Sequence, residues 1–134
     1  MTSAIKKVFF ILLTFSAMSL QAQDADLFTD VENALSASSS RELSKFLYSK
    51  VELKIDGKRT EYSDKQAEAI LKKFFQDNNA VKCEFVHNGQ NNAGGIIYAI
   101  GNYETSSNNF RVVVRAKKFE DAYKLYRIEF TKER

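Results

Sequence analysis

The sequence predicts an α+β domain in which helices come first and a mostly antiparallel sheet follows. Three observations carry this prediction. An amphipathic helix pattern covers Asp24 to Ala37, a longer one follows Ser63, and four closely spaced strand patterns fill the chain from Val81 to Thr131. Runs of helices followed by runs of strands are typical of α+β architectures, and the full predicted order is α-α-β-β-α-β-β-β-β.

The first two helices differ in length. The first has one apolar face, formed by Leu27, Phe28, Val31, Ala34 and Leu35. Ser39 and Glu42 then have the spacing of a capping box, so a second, short helix is predicted to begin there. It would carry Leu43, Phe46 and Leu47 and end near Ser49.

A hairpin and a long helix come next. Apolar and polar residues alternate from Val51 to Ile55, and Asp56-Gly57 tolerates the positive φ angles of a tight turn, which predicts a hairpin over Lys50 to Tyr62. Ser63 and Gln66 repeat the capping-box spacing. The helix they begin has a continuous apolar stripe of Ala67, Ile70, Leu71, Phe74 and Phe75.

The last part of the chain reads as an antiparallel meander. The predicted strands are Val81 to His87, Ile96 to Glu104, Phe110 to Phe119 and Tyr123 to Thr131. Turn-rich stretches, including Asn88 to Gly95, separate them.

The N-terminus has the pattern of an export signal. Lys6 and Lys7 precede 13 largely apolar residues, Val8 to Leu20, and a cleavage site follows near Ala22/Gln23. We therefore expect residues 1–22 to be a cleaved signal peptide, residues 23–134 to be one domain, and the protein to be periplasmic or secreted. The apolar stretch is shorter than the roughly 20 residues that span a bilayer, so no membrane insertion is expected after cleavage.

Charge and cysteine content exclude some function classes. The formal charge of +3 falls to +1 in the mature chain because the leader carries two lysines and no acid, so no nucleic-acid partner is expected. One cysteine allows no internal disulfide. Stability must come from packing, to which eleven Phe and six Tyr contribute.

The order of the elements resembles the cone-shaped domains similar to nuclear transport factor two. Several short segments also resemble recurring segments of an exported family, the domain of unknown function 4783: Tyr62 to Glu68, Phe74-Phe75, His87-Asn88-Gly89, Tyr98 to Gly101 and Phe110 to Val112. The resemblance covers Phe28 to Lys132 and implies a curved sheet wrapped around the helices, with a pocket between the sheet and the long helix. It implies no activity.

Strand alternation predicts which side chains face this pocket. The inward phases contain Val81, Cys83, Phe85 and His87 in one strand and Tyr126, Ile128 and Phe130 in the last, and the second strand is apolar on both faces. The candidate ligand-binding residues, for a small apolar ligand, are Phe74, Phe85, His87, Tyr98, Phe110 and Tyr126.

Two function hypotheses follow. The first is a non-enzymatic binding or protein-interaction module without a cofactor. The alternative is a small pocket enzyme, an isomerase, dehydratase or hydrolase, using His87 with a pocket tyrosine. His87 is a weak catalytic candidate because no inward carboxylate can be read from the four strands to orient it, and capping of the strand end is the favoured role for this residue. No metal site is expected from one His and one Cys.

The outer face of the predicted sheet offers two further hypotheses. Its branched aliphatic residues would suit a homodimer. Its basic strip contains Arg111, Arg115, Lys117 and Lys118, with Arg127 on the next strand. The strip is either a solvated face paired to Glu84, Glu104 or Glu129, or a site for an anionic polymer or an acidic patch.

Overall fold

The computed structural model describes residues 27–91 and 95–134. Three helices lie in this part of the chain: α1 over residues 27–36, α2 over Ser40–Ser44 and α3 over Asp64–Asp77. The strands are β1 Leu47–Ile55, β2 Lys58–Ser63, β3 Ala80–Asn91, β4 Ile96–Thr105, β5 Asn109–Phe119 and β6 Ala122–Lys132. The predicted α+β class and element order are confirmed. The predicted signal peptide lies outside the described residues.

The sheet order is β2-β1-β6-β5-β4-β3. The meander from β3 to β6 is antiparallel as predicted, and so is the β1-β2 hairpin. The one parallel pair, β1 with β6, joins the hairpin to the meander. The six strands form one continuous sheet that covers the helices. The four strands of the meander each have at least 10 residues.

Local capping signals begin the helices where the sequence predicts. The Ser63 Oγ accepts the Gln66 amide at 3.2 Å, and the Gln66 Oε1 accepts the Ser63 amide at 3.1 Å, which completes the capping box of α3. The Ser39 Oγ likewise accepts the Glu42 amide at 3.1 Å. The turn between β1 and β2 has positive φ at Asp56 and Gly57, as the hairpin prediction requires.

The second helix is shorter than predicted. It ends at Ser44, and β1 already begins at Leu47. The carbonyl of Phe46 accepts the amide of Leu125 in β6 at 2.8 Å, so the backbone at this point pairs with the sheet instead of continuing the helix. A pairing partner 79 residues away leaves no local signal in the sequence.

β3 is longer than predicted and changes phase along its length. It continues to Asn91, so the first half of the loop predicted over Asn88 to Gly95 is strand. Its register with β4 shifts between Phe85 and His87, which makes Val86 a bulge residue. Cys83 is opposite the buried Tyr103, but beyond the bulge His87 is opposite Ile100, whose neighbours Ala99 and Gly101 are the buried ones.

A second bulge changes the phase of β6. Arg127 is opposite Arg115, whereas Leu125 is opposite Ala116, so Tyr126 is the extra residue. Leu125 is fully buried and Tyr126 is half-buried. The predicted inward position of Tyr126 is therefore wrong, and Leu125 faces the core in its place.

α1 and the turn that follows it cover part of the free edge of β3. The Ser38 Oγ accepts the Ala80 amide at 2.8 Å, the Ser36 Oγ donates to the Cys83 carbonyl at 3.0 Å, and the Glu32 Oε2 accepts the Phe85 amide at 2.8 Å. These side chains satisfy backbone groups that an edge strand otherwise leaves unpaired.

Aromatic side chains fill the interior between α3 and the sheet. Phe130 and Tyr103 are fully buried, and the rings of Phe74 and Phe130 lie 4.3 Å apart. Phe75 and Phe110 are buried beside them. Because these rings occupy the centre of the cone, an opening for a ligand has to lie at its rim.

Candidate functional site

A groove of about 340 Å³ opens at one end of the cone, between the second half of α3 and the ends of β1, β5 and β6. Its apolar wall contains Ile55, Ile70, Phe74 and Phe110. Its rim carries polar side chains, among them Asp56, Lys73, Asp77 and Lys132. An apolar wall with a few polar groups at the edge is the usual composition of a small-molecule site.

Regular elements position the wall. Ile70 and Phe74 are four residues apart on α3 and therefore share one face. The Phe74 ring meets the Phe110 ring of β5 at 5.3 Å and 72°, an edge-to-face arrangement. Ile55 closes the wall at the end of β1, directly before the Asp56-Gly57 turn.

The rim is only partly neutralised. The Lys73 Nζ lies 3.7 Å from the Asp77 Oδ2, one turn further along α3. Lys132, at the end of β6, forms no ion pair with any described residue and has an exposed side chain. The Asn78 side chain is already engaged, because its Nδ2 donates to the Phe74 carbonyl at 3.1 Å. Lys132 and Asp56 are therefore the two charged rim residues without an ion pair in the described chain, and Lys132 is the cation available to a ligand.

The structure separates the six predicted ligand-binding residues into four places. Phe74 and Phe110 meet in the groove. Phe85 packs edge-on against Phe28 of α1, with ring centroids 6.1 Å apart. His87 and Tyr98 form a pair elsewhere, and Tyr126 lies in a different depression. Ligand binding by these residues stays a prediction.

His87 does not face the interior, in contrast to the prediction from strand phase. Its side chain is exposed because the bulge at Val86 reverses the phase of β3. The His87 Nε2 lies 3.5 Å from the Tyr98 hydroxyl, a long contact, and no described carboxylate pairs with the ring. The Tyr98 ring itself lies over Gly89, where a Cβ would collide with it. Tyr98 is half-buried and away from the groove.

Cys83 is buried, and its thiol is unreactive at neutral pH. Burial, with a smaller contribution from the negative charge of Glu32, raises the pKa of the thiol to about 12. A thiol with so high a pKa holds almost no thiolate at neutral pH and is a poor nucleophile.

The described residues contain neither a metal-binding cluster nor a membrane-spanning helix. No cluster of three or more His, Cys, Asp or Glu side chains with metal-binding geometry is found among residues 27–91 and 95–134. In the same part of the chain no helix has the length and apolar character needed to cross a membrane.

Sequence reasoning found Phe74 and Phe110 but missed the other groove residues. Ile55 and Ile70 belong to the β1 alternation and to the α3 stripe, patterns that indicate a strand and a helix but do not indicate a ligand site. No sequence pattern indicates that Lys73 and Lys132 belong to a site, because no local motif predicts that the ends of α3 and β6 meet at one rim.

Comparison with protein-family models gives one match. The model described as a domain of unknown function (DUF4783) matches residues 28–131. No curated protein matches the chain.

Solved structures agree with this match. A DUF4783 family protein from Bacteroides ovatus is 30% identical and superposes with a TM-score of 0.74, covering 78% of this chain and 94% of its own. One from Bacteroides uniformis is 28% identical with a TM-score of 0.75, covering 79% and 96%. An NTF-2 like protein of unknown function from Silicibacter pomeroyi is 10% identical with a TM-score of 0.60, covering 87% and 98%, and this likeness concerns the fold alone.

Proposed function

The chain belongs to the DUF4783 family, a domain of unknown function with an NTF2-like fold, and from this premise we propose that it is a non-enzymatic, exported binding module. Its ligand is a small molecule with an apolar body and a polar end group. The observation that carries the proposal is the groove of about 340 Å³ at the rim of an otherwise filled cone.

The chemistry of the groove supports this ligand class. Half-buried Ile55 and Ile70 offer apolar surface that water covers in the free protein, and the buried Phe74 and Phe110 form the wall behind them. Covering it gains roughly 25 cal/mol for each Å² of apolar area removed from water. An anionic or strongly polar end group would face Lys132, which has no ion pair with a described residue.

The enzyme alternative has less support. It requires a carboxylate beside His87 and an enclosed site. His87 is exposed, and its partner in the described chain is the Tyr98 hydroxyl. The groove itself contains no histidine and no cysteine.

Binding can be tested with the anionic, apolar fluorophore 8-anilinonaphthalene-1-sulfonate. Ile70 is half-buried in the groove wall, so Ile70→Glu places a charge against the apolar body of the probe. Ala69→Glu adds the same side chain at the neighbouring, exposed position of α3 and is the matched control. We expect saturable binding that Ile70→Glu weakens at least about tenfold and Ala69→Glu leaves intact.

Two results would contradict the proposal. One is the absence of saturable binding to the native protein. The other is an equal loss of affinity in both variants, because the fluorophore would then respond to charge on α3 and not to the groove.

Export is the second part of the proposal and rests on the leader pattern of residues 1–22. Expression of the full chain in a Gram-negative host, followed by intact-mass measurement of the periplasmic fraction, tests it. We expect a chain that begins at Gln23. A full-length chain in the cytoplasmic fraction would contradict export.

A further inference from the structure

A surface separate from the groove carries a concentration of cations without acidic partners. Arg111, Arg115 and Lys117 share one face of β5, the strand that lies between β4 and β6, and Val113 separates Arg111 from Arg115 on that face. This is the outer face, opposite the buried Phe110, Val112, Val114 and Ala116. Arg115 and Lys117 are roughly 7 Å apart along the strand, and Arg111 and Arg115 roughly 13 Å.

The cross-strand neighbours of these cations do not neutralise them. On β4 they are opposite Asn102, Tyr98 and Ile96, and on β6 they are opposite Thr131, Arg127 and Lys124. None of the three forms an ion pair with a described residue. The Nε of Arg115 is buried without a hydrogen-bond partner among the described residues.

Two of the three acidic side chains predicted to pair with this strip, Glu84 and Glu129, contact other cations, and the third, Glu104, forms no ion pair within the described chain. Glu84 pairs with Lys82 of its own strand at 3.2 Å. Glu129 lies 3.9 Å from Arg59, and Arg127 is held by Glu52 at 2.8 Å. The strip is therefore not a face of matched ion pairs.

An aromatic depression of about 280 Å³ adjoins the Lys117 end of the strip. The rings of Tyr48 and Phe119 stack at 3.6 Å with 5° between their planes, and Tyr126 lines the same depression. Two lysines and two glutamates also line it: Lys50, Lys117, Glu52 and Glu61. The Arg127 guanidinium lies 5.9 Å from the Tyr126 ring centroid.

We propose that the outer face binds an acidic polysaccharide, with one sugar ring in the aromatic depression and the acid groups of neighbouring units on the β5 cations. A pyranose has an apolar C–H face that packs on aromatic rings, and hydroxyl groups that donate hydrogen bonds to carboxylates such as that of Glu61. Its carboxylates or sulfates form charge-assisted hydrogen bonds with arginine and lysine. A simple anion would need only the cations, so the adjoining aromatic depression favours an acidic glycan.

The test uses the mature domain and fluorescently labelled polygalacturonate, whose every unit carries a carboxylate. The matched polymers are neutral dextran, polyphosphate and double-stranded DNA. We expect salt-sensitive binding of polygalacturonate and no binding of dextran. Binding of polyphosphate or DNA as tight as that of polygalacturonate would overturn the proposal, because charge alone would explain it. Absence of polygalacturonate binding at low salt would also overturn it.

Variants that remove charge test whether the polysaccharide binds at the outer face. The double variant Arg111→Gln, Lys117→Gln removes two exposed cations of the strip and is expected to weaken binding about tenfold. Lys65→Gln with Lys72→Gln removes the same charge from exposed positions of α3 and is expected to leave the affinity within about twofold. Equal losses in the two double variants would overturn the assignment to the outer face.

The aromatic depression has its own test. Tyr126→Leu keeps an apolar side chain of similar length but removes the ring, and we expect it to weaken polygalacturonate binding several-fold while the thermal transition is retained. Unchanged binding would overturn the part of the proposal that concerns the sugar ring. Binding of 8-anilinonaphthalene-1-sulfonate at the groove should be unaffected by all of these outer-face variants, which separates this proposal from the proposed function.

Discussion

Tyr103 connects three elements through one hydroxyl group. The side chain is fully buried, and its hydroxyl donates to the Asn78 carbonyl at 2.6 Å. It also lies 3.1 Å from the Ser38 Oγ, in the turn after α1. Because Asn78 is the residue that ends α3, this hydroxyl fixes the end of α3 and the α1-α2 turn against β4.

Removing this hydroxyl should therefore be costly. Tyr103→Phe leaves the Asn78 carbonyl without its side-chain donor, and we expect a loss of about 1–3 kcal/mol in the free energy of unfolding. Chemical denaturation measures it. Tyr123→Phe is the control, since no hydrogen bond of the Tyr123 hydroxyl is found within the described chain. Equal stability of the two variants would contradict the role assigned to Tyr103.

The ionisation of Cys83 makes the free energy of unfolding depend on pH at high pH. Its pKa is about 12 in the folded state, against an ordinary value of 9.0, because burial disfavours the thiolate. The folded chain thus holds the proton more tightly than the unfolded chain. The resulting stabilisation is complete below pH 9.0 and is lost as the pH rises from 9.0 towards 12.

Two measurements check this. The fall in unfolding free energy above pH 9.0 should be smaller in Cys83→Val than in the native protein. At pH 8, iodoacetamide should label native Cys83 far more slowly than the unfolded chain. Rapid labelling of the folded protein would show that the thiol is not buried as described.

At the scale of single elements, the elements that begin with a local signal were predictable. The capping box of Ser63 and Gln66 begins α3 directly after β2. The Asp56-Gly57 dipeptide sets the register of the β1-β2 hairpin. The bulges at Val86 and Tyr126 were not predictable, because each is defined by the register of the partner strand. Those two extra residues moved His87 and Tyr126 to the outer face.

The capping box of α3 should be measurable on its own. Ser63→Ala removes the acceptor of the Gln66 amide, and the expected cost is about 1 kcal/mol in the free energy of unfolding. Ser106→Ala, at an exposed loop position, is the control and should be near neutral. A neutral Ser63→Ala would mean that tertiary packing alone holds the first turn of α3.

At the scale of the whole molecule, two predictions compete for the outer face. Half-buried Ile100 and Val113 favour the homodimer predicted from sequence. The unpaired cations of β5 oppose it, since a twofold axis brings identical surfaces together. Light scattering at micromolar concentration separates the two, and we expect a monomeric mass. A dimeric mass that is insensitive to Arg111→Gln would support the homodimer.

The fold was predictable as a whole, but the groove was not. Element order and short segment resemblances were enough for the NTF2-like architecture and the family. The groove depends on a gap between the end of α3 and the ends of three strands, with aromatic rings filling the space behind it. Whether a cone is open or filled follows from side-chain packing in three dimensions, which periodicity in one dimension does not specify.

The measurement that tests the central claim most directly is a ¹H–¹⁵N NMR titration of the mature domain with 8-anilinonaphthalene-1-sulfonate. The account predicts saturable shifts confined to amides around the groove, such as those of Ile55, Phe74, Asn108 and Phe110. It predicts no shift at His87 or Tyr98, which lie away from the groove. Shifts centred on His87, or no saturable shifts at all, would contradict the claim that the rim groove is the binding site.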